Sequence, residues 1–194
     1  MRVLFKTLIS AAAALALLAP VAASAQEQMP AGSDEQRAAM DALSFMDGEW
    51  RGQATSYGPG GVRTDLIQTE RVGPFLGGSV RVVEGRGYDA EGATAFNALG
   101  VISWNDAEDR YEFSAWANGR QGNYRFERTE TGFTWEVPAG PGAVIRYVAT
   151  IQDGVWHEVG DYVREGGQPL RFIEMTLHRI GDSDWPGEGS VAPR

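Results

Sequence analysis

Four tyrosines, two tryptophans and one glutamate between residues 111 and 162 are the side chains best suited to chemistry in this 194-residue sequence. They are Tyr111, Tyr124, Trp135, Tyr147, Trp156, Glu158 and Tyr162. Aromatic rings give a small molecule contact area, and hydroxyl and carboxylate groups fix its orientation. Because each buried polar group needs a hydrogen-bond partner, this many of them favour a partly hydrated pocket over a dry core. We therefore predict a binding site for a small apolar or amphipathic molecule.

Glu158 is the member of this set whose role is most open. A carboxylate facing a pocket can bind a donor group of the ligand, or act as a base when burial raises its pKa. The alternative is an internal ion pair with Arg81, which we include among the candidate ligand-binding residues. A barrel enzyme of the isomerase, cyclase or hydrolase type, with Glu158 and a nearby tyrosine as proton shuttles, is a second hypothesis. A filled interior with a structural or interaction role is a third.

Residue types that the sequence lacks exclude several other chemistries. There is no Cys, so thiolate nucleophiles, disulfides and sulfur metal sites are excluded. The only lysine is Lys6, near the amino terminus, which excludes a Schiff base or P-loop lysine in the folded domain. His157 and His178 are too few for a three-histidine zinc site. We predict no catalytic residue, no metal and no cofactor.

The first 25 residues have the pattern of a secretory signal peptide. Arg2 and Lys6 precede an apolar stretch over residues 8–21, and small residues end at Ala25. Cleavage after Ala25 predicts a periplasmic or secreted protein without stable membrane insertion. It leaves 15 basic against 26 acidic residues, a net charge of −11, which disfavours nucleic acid as a partner.

An Asn-Gly turn at residues 118–119 fixes the first of the elements that must position these side chains. Asn-Gly adopts the positive φ angles that a two-residue type I′ hairpin requires. This turn places Phe113 opposite Tyr124 on one face and Glu112 opposite Arg125 on the other. The predicted hairpin therefore has an aromatic inner face and a charged outer face.

Asp153-Gly154 predicts a second hairpin by the same reasoning. It places Ala149 opposite Glu158 and Tyr147 opposite Gly160. A four-residue turn over residues 105–108 predicts a third pairing, with Ile102 opposite Tyr111 and Gly100 opposite Phe113.

Further turns divide residues 48–180 into about ten short strands with no helix between them. The predicted strands are 48–57, 62–72, 78–88, 94–104, 109–117, 120–129, 132–138, 143–152, 155–163 and 169–180. A meander of this length removes its edges by closing, which predicts an all-β, antiparallel up-and-down barrel. A short helix capped by Ser33 or Asp34 precedes it. The predicted organisation is a signal peptide over 1–25, a flexible leader over 26–33, a barrel domain over 34–180 and a flexible tail over 181–194.

The two ends of the meander resemble the calycin superfamily of lipocalins and fatty-acid-binding proteins. The first strand begins Gly48-Glu49-Trp50, and the last ends His178-Arg179. In calycins such a Trp closes one end of the barrel and the late Arg lies across it. The resemblance therefore implies that Trp50 and Arg179 are structural residues of barrel closure, with the Arg stacked on the indole.

Four internal segments narrow the resemblance to the uncharacterised bacterial domain family numbered 1579, over about residues 42–180. They are residues 84–87, 98–103, 133–136 and 156–158. This family implies a calycin-like barrel and no established activity. The related nitrobindins carry heme on a histidine of the final strand. Here residues 170–174 of that strand contain no histidine, so no heme is expected.

Overall fold

The computed structural model describes residues 32–187. The predicted signal peptide, most of the predicted leader and the end of the predicted tail lie outside these residues. The described chain contains a short helix α1 (Asp34–Asp41), a 3-10 turn (Ser44–Met46) and ten strands. The strands are β1 (Gly48–Tyr57), β2 (Arg63–Phe75), β3 (Val80–Tyr88), β4 (Thr94–Asn105), β5 (Arg110–Ala117), β6 (Arg120–Arg128), β7 (Gly132–Pro138), β8 (Ala143–Gln152), β9 (Val155–Arg164) and β10 (Leu170–Gly181).

The ten strands form one closed antiparallel barrel, which confirms the predicted fold class. Each strand pairs with its neighbours in sequence, and β1 pairs with β10 to close the ring. Closure leaves no unpaired edge along the sheet. Side chains alternate between the two faces of each strand, so one set lines the interior and the other covers the outer wall.

The predicted hairpin at Asn118-Gly119 is confirmed. Both turn residues have positive φ, 52° and 70°. The register pairs Phe113 with Tyr124 and Glu112 with Arg125. The Asp153-Gly154 hairpin is confirmed in the same way, with its predicted pairs in place.

The predicted register of the β4–β5 hairpin is wrong by two residues. Phe113 lies opposite Ile102, and Tyr111 lies opposite Trp104. The turn begins one residue later than predicted because Asn105 remains in the strand and its side-chain oxygen accepts hydrogen bonds from the following backbone. A shift of two keeps the same side chains inside, so the aromatic inner face survives.

Helix α1 and the 3-10 turn close one end of the barrel. The side-chain oxygen of Ser33 caps the helix by accepting a hydrogen bond from the Gln36 backbone at 2.8 Å. Met40, Leu43 and Met46 are fully buried against the barrel interior. None of the helices in the described chain is long and apolar enough to span a membrane.

The burial of the inward side chains differs between the two ends of the barrel. Near the helix, the inward side chains form a dry core that includes Trp50, Val72, Phe133 and Trp156. Toward the opposite end, which is bounded by the β5–β6 and β7–β8 turns, the inward side chains remain partly accessible to solvent. Among them are Phe96, Ala98, Ala115, Tyr124, Trp135 and Tyr147. These side chains are less completely buried than those near the helix. We call the interior of this half the lumen, and the end of the barrel away from α1 the open end.

Candidate functional site

Glu158 lies on the floor of the lumen, one inward position above the buried Trp156. Its two carboxylate oxygens accept hydrogen bonds from the indole nitrogens of Trp135 and Trp156, each at 3.0 Å. The residue is only 8% exposed. Burial raises the pKa of Glu158, and the two indole hydrogen bonds partly oppose this. Both donors are neutral, so the ionised carboxylate would be hydrogen bonded but not neutralised.

Trp135 links Glu158 to the aromatic wall of the lumen. Its indole stacks on the ring of Tyr147 with centroids 4.0 Å apart and planes 9° from parallel. Tyr124 approaches the same indole at 6.0 Å. Desolvation and the negative charge of Glu158 raise the pKa of Tyr147, so its hydroxyl remains a neutral donor. Four of the predicted site residues, Trp135, Tyr147, Trp156 and Glu158, thus form one cluster, with Tyr124 beside it.

A second carboxyl group, Glu70, lies on the floor and was missed by the sequence analysis. It is the inward residue of β2 above Val72, and it pairs with Trp50 on β1. The amide nitrogen of the buried Gln68 donates to its Oε1 at 2.7 Å. Desolvation raises the pKa of Glu70 to about 8, and the charges of Glu158 and Glu84 add to the shift. The pairing of Trp50 with its neighbour on β2 was the signal that could have identified Glu70. The β1–β2 connection (residues 58–62) is not a two-residue turn that fixes this pairing from the sequence.

Small residues make room for these groups along the lumen wall. A side chain at Gly85 would place its first carbon 2.8 Å from Glu70 Oε1. At Gly100 it would meet the Phe113 ring at 2.6 Å, and at Gly160 the Tyr147 ring at 2.8 Å. The rings and the carboxyl group therefore lie along the wall over glycines.

The structure places Arg81 at the helix-closed end instead of beside Glu158, so the ion pair considered from the sequence is wrong. The Arg81 guanidinium donates to both carboxylate oxygens of Asp47, at 2.5 and 2.6 Å, and to the carbonyl oxygen of Met40. Arg81 is 3% exposed and has a positioning role at the end of α1. Its assignment to ligand binding has no support in these contacts.

Two of the predicted tyrosines lie apart from the Glu158 cluster. The Tyr111 hydroxyl donates to the carbonyl oxygen of Ala39 at 2.7 Å, which fastens α1 to β5. Burial raises the pKa of Tyr111. The Tyr162 hydroxyl accepts a hydrogen bond from Arg164 at 3.1 Å near the β9–β10 turn, so Tyr162 belongs to the rim of the lumen.

Trp50 and Arg179 are partners across the β1–β10 pair that closes the barrel, as their predicted structural role requires. The predicted stacking of the two is wrong. The Trp50 indole donates to the Met46 carbonyl oxygen at 2.9 Å and packs edge-on against Trp156. The Arg179 guanidinium donates to the Asp47 carbonyl oxygen at 3.2 Å and to the Asp182 carboxylate.

A comparison with solved structures bears on the fold. The chain is similar to the crystal structure of Rv2717c from M. tuberculosis, with a TM-score of 0.56 and 13% sequence identity. The match covers 73% of this chain and 97% of that chain. Such low identity shows a shared fold and nothing about activity. No family model matches the sequence, and no curated protein matches it.

Proposed function

We propose that this protein is an exported binding protein that holds a small apolar or amphipathic molecule in the open half of its barrel and performs no chemistry on it. The observation that carries the proposal is the floor of the lumen, where Glu158 is fixed by two indoles beneath partly accessible aromatic rings. The apolar part of the ligand would contact the rings, and a polar group would reach the floor.

The arrangement of Glu158 favours binding over proton transfer by this residue. A proton shuttle needs an acid or base within hydrogen-bond reach. The hydrogen-bond donors to Glu158 are the indoles of Trp135 and Trp156, which are not acids or bases at neutral pH. The two indoles fix the carboxyl group, and each of its oxygens keeps a second lone pair that can accept from a ligand, so the group is suited to orienting a ligand.

Glu70 gives the alternative of a barrel enzyme its one specific observation. A carboxyl group with a pKa of about 8 can exchange a proton near neutral pH, as a general acid or base must. In the enzyme hypothesis, the proton-transfer role is therefore assigned to Glu70 instead of to Glu158 and a nearby tyrosine. A filled barrel with a structural or interaction role remains the third hypothesis.

Two finer proposals rest on sequence patterns, the first on the order of the motifs along the barrel and the second on the signal-peptide pattern of residues 1–25. We propose that the barrel is of the calycin type and belongs to the uncharacterised family 1579. We also propose cleavage after Ala25 and a periplasmic or secreted location. An intact mass that lacks residues 1–25, measured on protein released from the periplasm by osmotic shock, tests the second.

Native mass spectrometry of the same periplasmic protein tests binding. We expect a mass that is released on denaturation and that identifies the ligand. Ala115 faces the lumen between Gly100 and Gly122, so Ala115→Trp should fill the space and abolish the added mass. Ser114→Trp, on the outer face of the same strand, is the matched control. The binding proposal is wrong if the wild type carries no added mass, or if Ala115→Trp keeps it.

A further inference from the structure

Among residues 32–187, neither of the two carboxyl groups on the floor, Glu70 and Glu158, forms a salt bridge. Their hydrogen-bond partners are the Gln68 amide and the two indoles. The charge of His157, the neighbouring residue on β9, lowers the pKa of Glu158 but does not overcome the effect of burial. The arginines nearest in the sequence are used elsewhere: Arg71 pairs with Glu84 on the outer wall, and Arg81 pairs with Asp47.

An uncompensated pair of buried carboxylates is unfavourable. Removing a carboxylate from water is strongly unfavourable, and neutral donors recover only part of the lost solvation. The two groups also repel each other when both are ionised. A protein can relieve this by keeping a proton on one group or by binding a positive charge between them.

Aromatic rings lie beside and below the floor and favour the second solution. Trp135 and Tyr147 present a stacked pair beside Glu158, and Trp50 and Trp156 lie edge to face below it. Indole and phenol faces attract cations, more strongly where water is excluded. Carboxyl groups and rings together form the usual protein environment of an alkylated ammonium group.

We propose that the ligand is an organic cation, a protonated amine or a quaternary ammonium with an apolar body, whose charge lies between Glu70 and Glu158. This rests on the proposed binding function. The apolar body would occupy the lumen above the floor, against Ala98, Ala115 and the Tyr124 ring.

Binding of such a cation should release a proton from the floor. The groups that face Glu70 are Trp50 on β1, Gln68 on β2, Gly85 on β3 and Glu158 on β9, with Glu84 behind Gly85 on the outer wall. Glu70 retains its proton at pH 7 because its pKa is about 8, and a bound cation favours the ionised form. The released proton therefore reports the position of the ligand charge.

Isothermal titration calorimetry with three eight-carbon probes below their micellar concentrations tests the proposal on protein obtained from expression of the complete chain. The probes are octyltrimethylammonium, the neutral octyl glucoside and the anionic octyl sulfate. We expect the cation to bind at least tenfold more tightly than the other two. Titrations in two buffers of different ionisation enthalpy should show release of up to one proton per cation at pH 7.

Three variants test whether the cation binds at the floor of the lumen or at the acidic outer surface. Glu70→Gln and Glu158→Gln should each reduce the cation preference at least fivefold while changing octyl glucoside affinity less than threefold. Glu84→Gln, which removes a charge from the outer wall, should leave the preference unchanged. Proton release should disappear in Glu70→Gln.

The outcomes distinguish the two proposals. If no probe binds and no ligand co-purifies, the binding function itself fails. If octyl glucoside binds as tightly as the cation to the wild type, the cation proposal fails and the binding function stands. Cation preference that persists in both floor variants, or that Glu84→Gln removes, would place the charge on the surface and overturn the proposal. The wild-type preference and proton count remain decisive should a floor variant fail to fold.

Discussion

The most direct consequence of the lumen floor is that the protein should lose stability as the pH rises from about 5 to about 9. Glu70 has a pKa of about 8 in the folded chain and 4.5 as its ordinary value, the value expected after unfolding. Between these values the folded chain retains a proton that the unfolded chain releases. Folding stability therefore falls with increasing pH, with a limiting slope of about 1.4 kcal/mol per pH unit for one group.

The size of the effect follows from the same two values. A difference between 4.5 and about 8 corresponds to a ceiling of about 5 kcal/mol. Because the Glu70 residue is partly accessible from the lumen, water reduces the penalty, and we expect roughly 2–3 kcal/mol. Glu158, whose pKa is also raised, acts in the same direction.

Urea unfolding of wild type and Glu70→Gln between pH 5 and pH 9 measures the effect. Glutamine is neutral at every pH and can still accept the hydrogen bond from Gln68, so the variant should lose most of the slope and exceed the wild type in stability at pH 9. Glu84→Gln is the control, and it should lower stability by an amount that is constant from pH 5 to pH 9. Burial raises the pKa of Glu84, but hydrogen bonds from Arg86 and Arg71 outweigh burial and lower it. The charge of Glu84 therefore stabilises the fold above pH 4.5, and this contribution is lost as the pH falls through its lowered pKa. A wild-type stability that is constant from pH 5 to pH 9, or an equal slope in Glu70→Gln, would refute the reasoning.

Two further predictions concern the fold. Arg81→Met should destabilise the protein by about 3–5 kcal/mol, because it leaves Asp47 without its buried partner; Arg63→Met, at a pair that is more than half exposed, should cost less than about 1 kcal/mol in the same urea titration. Gly132→Ala should cost about 1–3 kcal/mol or more, because the added carbon would collide with a backbone carbonyl oxygen of β8. Gly181→Ala meets no atom within 4 Å and should leave the thermal midpoint unchanged. Equal midpoints for the two glycine variants, or a mild effect at Arg81, would contradict these assignments.

The parts of the fold that were predictable from the sequence are those encoded by local chemistry. Asn118-Gly119 and Asp153-Gly154 each allow one turn geometry, and that geometry fixes every pair along the two strands that it joins. The β4–β5 loop was predicted two residues out of register because a four-residue loop accepts several starting points. The Asn105 side chain determines where this loop starts, because its oxygen accepts hydrogen bonds from the backbone of Ala107 and Glu108. The residue type alone does not specify these hydrogen bonds.

The candidate site was predictable on one side of the barrel only. Trp135, Tyr147, Trp156 and Glu158 lie on strands joined by short loops, so their inward facing could be counted from a turn. Glu70 follows the β1–β2 connection (residues 58–62), which does not fix how the residues of β2 pair with those of β1. Its inward facing could therefore not be counted from a turn. Arg81 could not be assigned because its partner, Asp47, belongs to a segment before the first strand and meets it only in the closed barrel.

Side-chain volume is distributed unevenly along the barrel, and this decides where a ligand would lie. On β3 to β5 the inward positions of the open half are mostly small (Gly85, Gly87, Ala98, Gly100 and Ala115), with Phe96 as the large exception. The large rings of the opposite strands lie along their own wall, as Tyr147 does over Gly160. At the other end, α1 and the 3-10 turn after it supply Met40, Leu43 and Met46, which fill the space between the walls.

A ligand would therefore enter from the end opposite the helix and lie against the small-residue wall, with its polar end on the floor. Entry from the helix end would require breaking the Arg81–Asp47 pair and the hydrogen bond between Tyr111 and Ala39. These contacts tie α1 and the segment after it to β3 and β5, so the closed end behaves as a fixed base. The floor carboxyl groups lie immediately above this base, so a molecule that entered through the open end would meet them before the dry core.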